Sequence, residues 1–169
     1  MLVLLLGGAR SGKSQLAVRL AAERGGKVVF VATGEPSDDE MSARIELHRA
    51  ERPAGWSTVE EPRELARAVA DAPADATLVV DCLSLWVANV LEGSDEAAIV
   101  SEAGVAAALA ARRSGLTVVV TNEVGLGLVP MHPVGRAFRD ALGRVNSVWS
   151  AAADEAYLVV AGRRLPLHA

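Results

Sequence analysis

The chain has 169 residues, of which 51% are hydrophobic and 22% charged, a composition that excludes a largely disordered protein. Its formal net charge of −4 argues against a general nucleic-acid binder, which would carry a basic face. The single cysteine, Cys82, excludes an intrachain disulfide and suits a reducing compartment; its apolar surroundings favour a buried, inert thiol over a nucleophile.

Five continuous apolar runs predict strands buried on both faces of a parallel sheet, at 2–6, 27–32, 78–81, 117–121 and 156–160. The first run is too short for a signal-peptide core or a membrane span, and no longer apolar stretch follows, so we expect a cytoplasmic protein without a membrane span. The final stretch "VVAGRRLPL" is typical of a hairpin.

Helical patterns lie between the predicted strands. The first spans 13–24 and stops at Gly25-Gly26, and a second runs from Pro62 to about residue 71. Ser94 can cap a long alanine-rich helix that ends near residue 115. A last helix carries an apolar stripe that could serve the core or a subunit interface: Val134, Phe138, Leu142, Val145 and Trp149. Alternating strands and helices predict one α/β domain over residues 1–169, built as a three-layer sandwich.

A phosphate-binding loop follows the first predicted strand. The stretch "GGARSGKS" matches the P-loop pattern and opens a helix, as that motif requires. Lysine is rare in this chain: only two of the 17 basic residues are lysines, and one of them occupies the P-loop position. The predicted nucleotide-binding residues here are Gly7, Gly8, Ala9, Arg10, Ser11, Gly12, Lys13 and Ser14. Lys13 would meet the β- and γ-phosphates of the nucleotide, and the Ser14 hydroxyl would bind Mg²⁺.

A P-loop protein also needs an acidic residue on a neighbouring strand to hold the metal shell. Asp81 ends one predicted strand, and Asn122 and Glu123 end another. Because open α/β sheets bind ligands at the carboxyl ends of their strands, both groups are candidates. The pattern favours Asp81 for the metal, while Glu123 could equally serve a turn.

The order of four stretches makes the chain resemble one family. After the P-loop come "VATGEPSDDEMSARIELHRAERPAGWSTVEEP", "DCLSLW" and "TNEVGLGLVP...GRAFRDALGRVN". In this order they resemble the bifunctional adenosylcobinamide kinase/adenosylcobinamide-phosphate guanylyltransferases of cobalamin biosynthesis, over nearly the whole chain. The resemblance implies a RecA-like P-loop NTPase fold and a homotrimer. It also implies two reactions, which are phosphorylation of adenosylcobinamide by ATP or GTP, and transfer of GMP from GTP through a histidine to form adenosylcobinamide-GDP.

The resemblance also implies site residues. The guanylylated histidine of the family falls on His48, and catalytic roles go to His48 and Lys13. Beyond the P-loop, the implied nucleotide contacts are Ala32, Thr33, Gly34, Arg49, Ala50, Glu51, Arg52, Glu60 and Asp81. Three departures stand out: Met131-His132 where the family usually has Glu-Asn, Ser147 where Gln is common, and Asp81 where some relatives have Glu. The first two concern corrinoid recognition and leave the nucleotide chemistry untouched.

His48 has two interpretations from its own surroundings. A helix from about residue 38 to 51 would place Met41, Ile45 and His48 on one stripe, which fits a histidine beside an apolar face. An imidazole with an unperturbed pKa of about 6.5 is also a largely unprotonated nucleophile at neutral pH. Nearby Arg44, Arg49 and Arg52 could neutralise the developing phosphate charge.

Two further function classes are compatible with a P-loop alone. One is a different small-molecule kinase without a covalent intermediate, which would leave no nucleotide trapped on the protein. The other is a nucleotide-dependent switch or assembly module with no transfer activity. The segment around His48 favours the bifunctional enzyme, since a phosphate loop by itself does not require it.

Overall fold

The computed structural model describes residues 1–36, 39–50 and 52–168. At six positions of the second helix only the backbone is described: Glu40, Met41, Arg44, Ile45, His48 and Ala50. The strands are β1 Leu2–Gly7, β2 Val28–Ala32, β3 Ser57–Glu60, β4 Thr77–Asp81, β5 Thr117–Asn122, β6 Glu155–Val160 and β7 Arg163–Leu167. The helices are α1 Lys13–Arg24, α2 Asp39–Ala50, α3 Leu65–Asp71, α4 Leu83–Leu91, α5 Glu96–Ala111 and α6 Pro133–Ala152.

All seven strands join one sheet in the order β3-β2-β4-β5-β1-β6-β7. Every pairing is parallel except that of β6 with β7, which form the predicted hairpin. Its two-residue turn is Ala161-Gly162, where both residues have positive φ, as a tight hairpin turn requires. The predicted α/β class with a mostly parallel sheet and a terminal hairpin is therefore confirmed.

Helices cover both faces of the sheet and give three layers. On β1, Leu4 and Leu5 point to opposite faces, and both are completely buried. Helix α1 packs on the Leu5 face, and α3 to α6 pack on the Leu4 face. This two-sided burial explains why the strand sequences are continuously apolar rather than alternating. Among the described residues, none of the helices has the length and apolar character needed to cross a bilayer.

Several predicted boundaries were wrong. Helix α3 begins at Leu65, so Pro62 lies in the preceding loop rather than in the first turn. Asp95 rather than Ser94 caps α5, because its side chain accepts the N–H of Ala98 at 2.7 Å, and this helix ends at Ala111. Strand β3 and helix α4 were not predicted. For α2, the predicted end residues 38 and 51 lie outside the described residues.

The apolar stripe of the last helix, α6, packs in the core along only part of its length. Leu142, Val145 and Trp149 are fully buried in the core, whereas Val134 at the other end is 72% exposed. The core explanation of the stripe is thus confirmed for the second half of α6. Trp86 on α4 is also fully buried, with its indole N–H donating to the Arg63 carbonyl at 2.7 Å.

Candidate functional site

The predicted phosphate loop connects the carboxyl end of β1 to the first turn of α1. Within it, the Ser11 N–H donates to the Gly8 carbonyl at 3.3 Å, which closes a tight turn. Gly12 precedes the helix with a φ of 96°, a conformation that favours glycine. The backbone thereby places the N-terminus of α1, with its partial positive charge, at the carboxyl edge of the sheet.

The β6–β7 turn supports this loop from behind. A Cβ on Gly7 would lie 2.3 Å from the Val159 carbonyl oxygen, and one on Gly12 would lie 3.3 Å from Gly162 Cα. The Gly162 N–H also donates to the Ser11 carbonyl at 2.8 Å. A Cβ on Gly7 would therefore collide with the β6 backbone, whereas glycine at position 12 is favoured mainly by its positive φ, with crowding against the turn as a smaller effect.

Lys13 lies inside the loop with only 6% of its surface exposed. Its ammonium Nζ donates to the Gly8 carbonyl at 2.7 Å and to Ser11 Oγ at 3.4 Å. Burial lowers the pKa of Lys13, and the acidic groups of Cys82 and Asp81 oppose that shift. The lysine is thus held as a buried donor within electrostatic range of Asp81.

Asp81 ends β4 and is half-buried, but its strand does not adjoin β1. Of the two predicted strand ends, that of β5, which Glu123 follows, adjoins β1, whereas Asp81 on β4 is separated from β1 by β5. In the β1–β5 register, Asn122 lies opposite Gly7. Asp81 raises the pKa of Arg52 as well as that of Lys13, although burial has the larger, opposite effect on both cations. Asp81 therefore lies within electrostatic range of both Lys13 and Arg52.

The predicted stretch 32–34 lies beside Asp81, at the carboxyl end of β2. Thr33 is fully buried, and its N–H donates to the Asp81 carbonyl at 3.2 Å. Its hydroxyl accepts the Cys82 N–H at 2.8 Å and donates to the Cys82 carbonyl at 2.7 Å. Asn89 on α4, which the sequence did not reveal, donates to the Thr33 carbonyl at 2.7 Å and to the Pro62 carbonyl at 3.1 Å. These bonds fix the ends of β2 and β4 to one another.

Cys82 is buried, as predicted. Burial, followed by the nearby charge of Asp81, raises the pKa of the thiol to about 11. A thiol with so high a pKa carries almost no thiolate at neutral pH, so the structure supports the inert interpretation.

A second group of predicted residues lies near β3, on the edge of the sheet. Arg49 on α2 forms ion pairs with Glu46 at 3.1 Å and with Glu60 at the end of β3. Arg52 stacks over the Phe30 ring, with 3.9 Å from guanidinium carbon to ring centroid, and donates to Thr58 Oγ1 at 3.2 Å. Thr58 and Phe30 were not predicted as partners of these arginines, because their contacts depend on how α2 packs against the sheet.

The backbone of His48 belongs to α2, but its side chain lies outside the described residues, as do the side chains of Ala50 and Arg44 and the whole of Glu51. At the departures from the family pattern, Met131 is 91% exposed, His132 precedes the first turn of α6, and Ser147 is exposed on that helix.

Two oxygen-bearing residues could hold a magnesium ion. Ser14 lies in the first turn of α1, one residue after Lys13, and Asp81 is close enough to Lys13 to alter its pKa. Hydroxyl and carboxylate oxygens are the donors that Mg²⁺ prefers, usually with phosphates and water completing its shell. In residues 1–36, 39–50 and 52–168 no cluster of three or more His, Cys, Asp and Glu side chains could hold a metal.

Solved structures with a similar fold are P-loop proteins. The chain matches an ATPase of the bacterial type III secretion system with a TM-score of 0.56 and 14% identity, over 93% of this chain and 50% of that chain. It matches the RadB recombinase with a TM-score of 0.55 and 16% identity, over 93% and 73%. At these identities the likeness shows the fold alone, and it confirms the predicted RecA-like P-loop architecture.

Sequence comparison is more specific. The chain is 42% identical to the bifunctional adenosylcobalamin biosynthesis protein CobP of Pseudomonas aeruginosa, over 97% of this chain and 95% of the relative. It is 40% identical to the corresponding protein CobU of Salmonella typhimurium, over 96% and 97%, and 41% identical to that of Escherichia coli, over the same shares. A family model described as cobinamide kinase / cobinamide phosphate guanyltransferase matches residues 3–167, and the chain belongs to this family of bifunctional transferases.

Proposed function

We propose that this protein phosphorylates the aminopropanol hydroxyl of adenosylcobinamide with ATP or GTP, and then transfers GMP from GTP to the product. The final product would be adenosylcobinamide-GDP. The observation that carries the proposal is the buried Lys13 ammonium, held in a complete P-loop within electrostatic range of Asp81. The proposal treats residues 1–169 as one nucleotide-binding domain, because all seven strands belong to one sheet.

In the kinase step the protein supplies position and charge. Backbone N–H groups of residues 7–14 and the N-terminus of α1 would bind the phosphates, and Lys13 would neutralise charge on the transferring γ-phosphoryl group. Ser14 and Asp81 are the residues that would hold Mg²⁺, and a bound Mg²⁺ would supply positive charge that polarises the phosphate groups. The bonds between Thr33 and the Asp81–Cys82 backbone would keep the Asp81 carboxylate in place.

In the guanylyl step we assign the nucleophile to His48. An imidazole nitrogen would attack the α-phosphorus of GTP, with pyrophosphate as the leaving group and a phosphorus–nitrogen bond formed. A phosphate oxygen of adenosylcobinamide phosphate would then attack the same phosphorus and release the histidine. Arg49 and Arg52 support this assignment, because Arg49 lies on the same helix as His48, Arg52 follows that helix, and both bond to side chains of β3. Arg49, Ala50, Glu51, Arg52 and Glu60, together with Ala32, Thr33 and Gly34, would contact the nucleotide.

Trapping the intermediate tests the proposal directly. Incubation with GTP labelled at the α-phosphate should leave label on the protein that is labile to acid and stable to base, as a phosphorus–nitrogen bond requires. His48→Ala and His48→Asn should abolish the label while γ-phosphoryl transfer to adenosylcobinamide continues. Label that survives both substitutions would refute the role of His48. Kinase activity in a wild-type protein that never acquires label would instead indicate a kinase without a covalent intermediate.

The proposal includes a cytoplasmic homotrimer. An exposed apolar segment between β5 and α6 supports self-association, since Leu126 is 84%, Leu128 97% and Met131 91% exposed in the single chain. Light scattering should give three times the chain mass of 17.6 kDa, and a mass of one chain would contradict the trimer. Cell fractionation should find the protein in the cytoplasm; recovery from another compartment would contradict the location.

A further inference from the structure

An open cavity of about 450 Å³ lies at the carboxyl end of β1 and β5, on the face covered by α6. Leu6 and Glu123 form its inner wall, and Gly143, Ser147 and Ser150 of α6 line the other side. The helical residues are small, and a Cβ added to Gly143 would meet no atom within 4 Å. The cavity is therefore lined by an acidic residue, Glu123, and by two serines of α6.

Asn146 holds the two walls of this cavity together. It is only 5% exposed, its side-chain oxygen accepts the Thr121 hydroxyl at 2.7 Å, and its amide nitrogen donates to the Asn122 carbonyl at 3.0 Å. Both partners are on β5, whereas Asn146 is on α6. Because both polar groups of this buried side chain bond to β5, they fix the distance between β5 and α6.

The cavity adjoins the phosphate loop through Glu123. The Glu123 N–H donates to the Gly7 carbonyl at 3.1 Å, so its backbone is bonded to the first residue of the loop. The Glu123 carboxylate accepts the Gly125 N–H at 2.5 Å, which orients the side chain. Within the described part of the chain, no Lys, Arg or His side chain forms an ion pair with it. A carboxylate in this position can accept a proton from a group that approaches the γ-phosphate from the α6 side.

We propose that this cavity binds the hydroxyl-bearing amino-alcohol arm of the acceptor, and that Glu123 is a catalytic residue of the kinase step. The inference rests on the proposed function. As the acceptor oxygen bonds to the γ-phosphorus, its proton passes to the Glu123 carboxylate, and the bond from that phosphorus to the β–γ bridging oxygen breaks to release the nucleoside diphosphate. The Ser147 hydroxyl donates to the Gly143 carbonyl at 3.0 Å and can therefore accept the N–H of the amide that joins the arm to the corrinoid, and the Ser150 hydroxyl supplies a further hydrogen bond to that amide.

Filling the cavity tests the binding part of this proposal. Ser147→Trp should raise the KM for adenosylcobinamide at least about tenfold, because a bulky side chain takes the space of the arm. The KM for ATP and the incorporation of label from α-labelled GTP, which needs no acceptor, should stay at wild-type values. Ser101→Trp on α5, another exposed helical serine away from the cavity, is the matched control and should leave all three values unchanged. An unchanged KM for adenosylcobinamide in Ser147→Trp would overturn the cavity assignment.

The proton-accepting role has its own test. Glu123→Gln keeps the size of the side chain and should lower kcat of the kinase reaction by about 10²-fold or more, with KM changed little. Wild-type kcat in Glu123→Gln would refute the role. A wild-type protein that transfers no phosphate to adenosylcobinamide would refute the proposed function itself, whereas an active wild type with unaffected variants would refute only this inference.

Discussion

The phosphate loop and the α2–β3 edge are held in place by very different forces. The loop leaves β1 inside the sheet, is supported by the backbone of the β6–β7 turn, and buries its lysine. At the edge, all four residues of β3 are exposed, and Arg49 reaches Glu46 and Glu60 through ion pairs open to solvent. Exposed pairs contribute little stability and are screened by salt, whereas backbone contacts in the core are not.

This contrast separates the two proposed reactions. Phosphoryl transfer depends on the loop, so changes to buried backbone positions should damage it severely. The proposed guanylyl transfer would additionally depend on α2 and the residues just after it, whose described contacts to β3, made by Arg49 and Arg52, are polar and exposed. Single side-chain changes at this edge should therefore lower the rate of guanylyl transfer only gradually. That rate should also depend more strongly on salt concentration than the rate of phosphoryl transfer.

The largest expected effect is at Lys13. Lys13→Ala removes the buried ammonium beside the phosphates and should lower the kinase kcat/KM by about 10³-fold. Lys27→Ala is the matched control, because Lys27 is the other lysine of the chain and is exposed just before β2. Steady-state kinetics of both variants, with circular dichroism to verify folding, measures the difference. Turnover like that of the wild type in Lys13→Ala would contradict the P-loop assignment.

The next effect concerns the backbone support of the loop. Gly7→Ala places a Cβ where the Val159 carbonyl already lies, and should reduce the free energy of unfolding by roughly 3 kcal/mol. Gly8→Ala meets no atom within 4 Å and should stay within about 0.5 kcal/mol of the wild type. Urea unfolding of the pair measures both. Equal stabilities would show that the backbone of β6 does not constrain the loop.

The two regions also differ in how far the sequence predicted them. The P-loop is a local sequence pattern, so its eight residues could be identified from the sequence alone. The apolar strand before it and the helix after it are local patterns as well. Strand β3 was missed because "STVE" is polar and exposed, and only pairing with β2 makes it a strand. Helix α4 was missed because "LSLWVANVL" is apolar on most of its surface and looks like part of the preceding buried strand.

Polar residues that bridge distant elements were not predictable either. Asn89 contacts Thr33 across 56 positions, and Asn146 contacts Thr121 across 25. Nothing local marks either asparagine as buried or bonded, since asparagine is usually an exposed residue. By contrast, the helical pattern predicted α1 to the residue, because Gly25 and Gly26 both adopt positive φ and end it.

A smaller effect is expected at Glu61, in the loop that follows β3. Its carboxylate accepts the Glu64 and Arg63 N–H groups and pairs with Arg67, and these partners lower the pKa of Glu61, the Glu64 N–H most. Because the folded-state pKa is depressed, the stabilisation is present above the unfolded pKa of about 4.3 and is lost as pH falls through the folded value.

Glu61→Gln should therefore destabilise the protein by about 1 kcal/mol at pH 7, and the difference should shrink below about pH 4. Glu92→Gln, at the exposed end of α4, is the control and should show no such trend. Thermal unfolding of the wild type and both variants between about pH 7 and pH 3 measures this difference in stability. A difference that stays constant with pH would mean that the charge of Glu61 is not what holds the loop.

The smallest expected effect separates the two reactions most cleanly. Thr58→Val removes the hydroxyl that accepts from Arg52 on exposed β3, and should slow incorporation of label from α-labelled GTP roughly threefold. Thr58→Ser keeps that hydroxyl and should match the wild type, and neither change should alter the kinase rate, since Thr58 lies on the opposite side of β2 and β4 from the phosphate loop. If Thr58→Val slowed both reactions equally, the edge would have to transmit its changes through β2 and β4 to the loop. The two regions would then act as one site rather than as two independently supported ones.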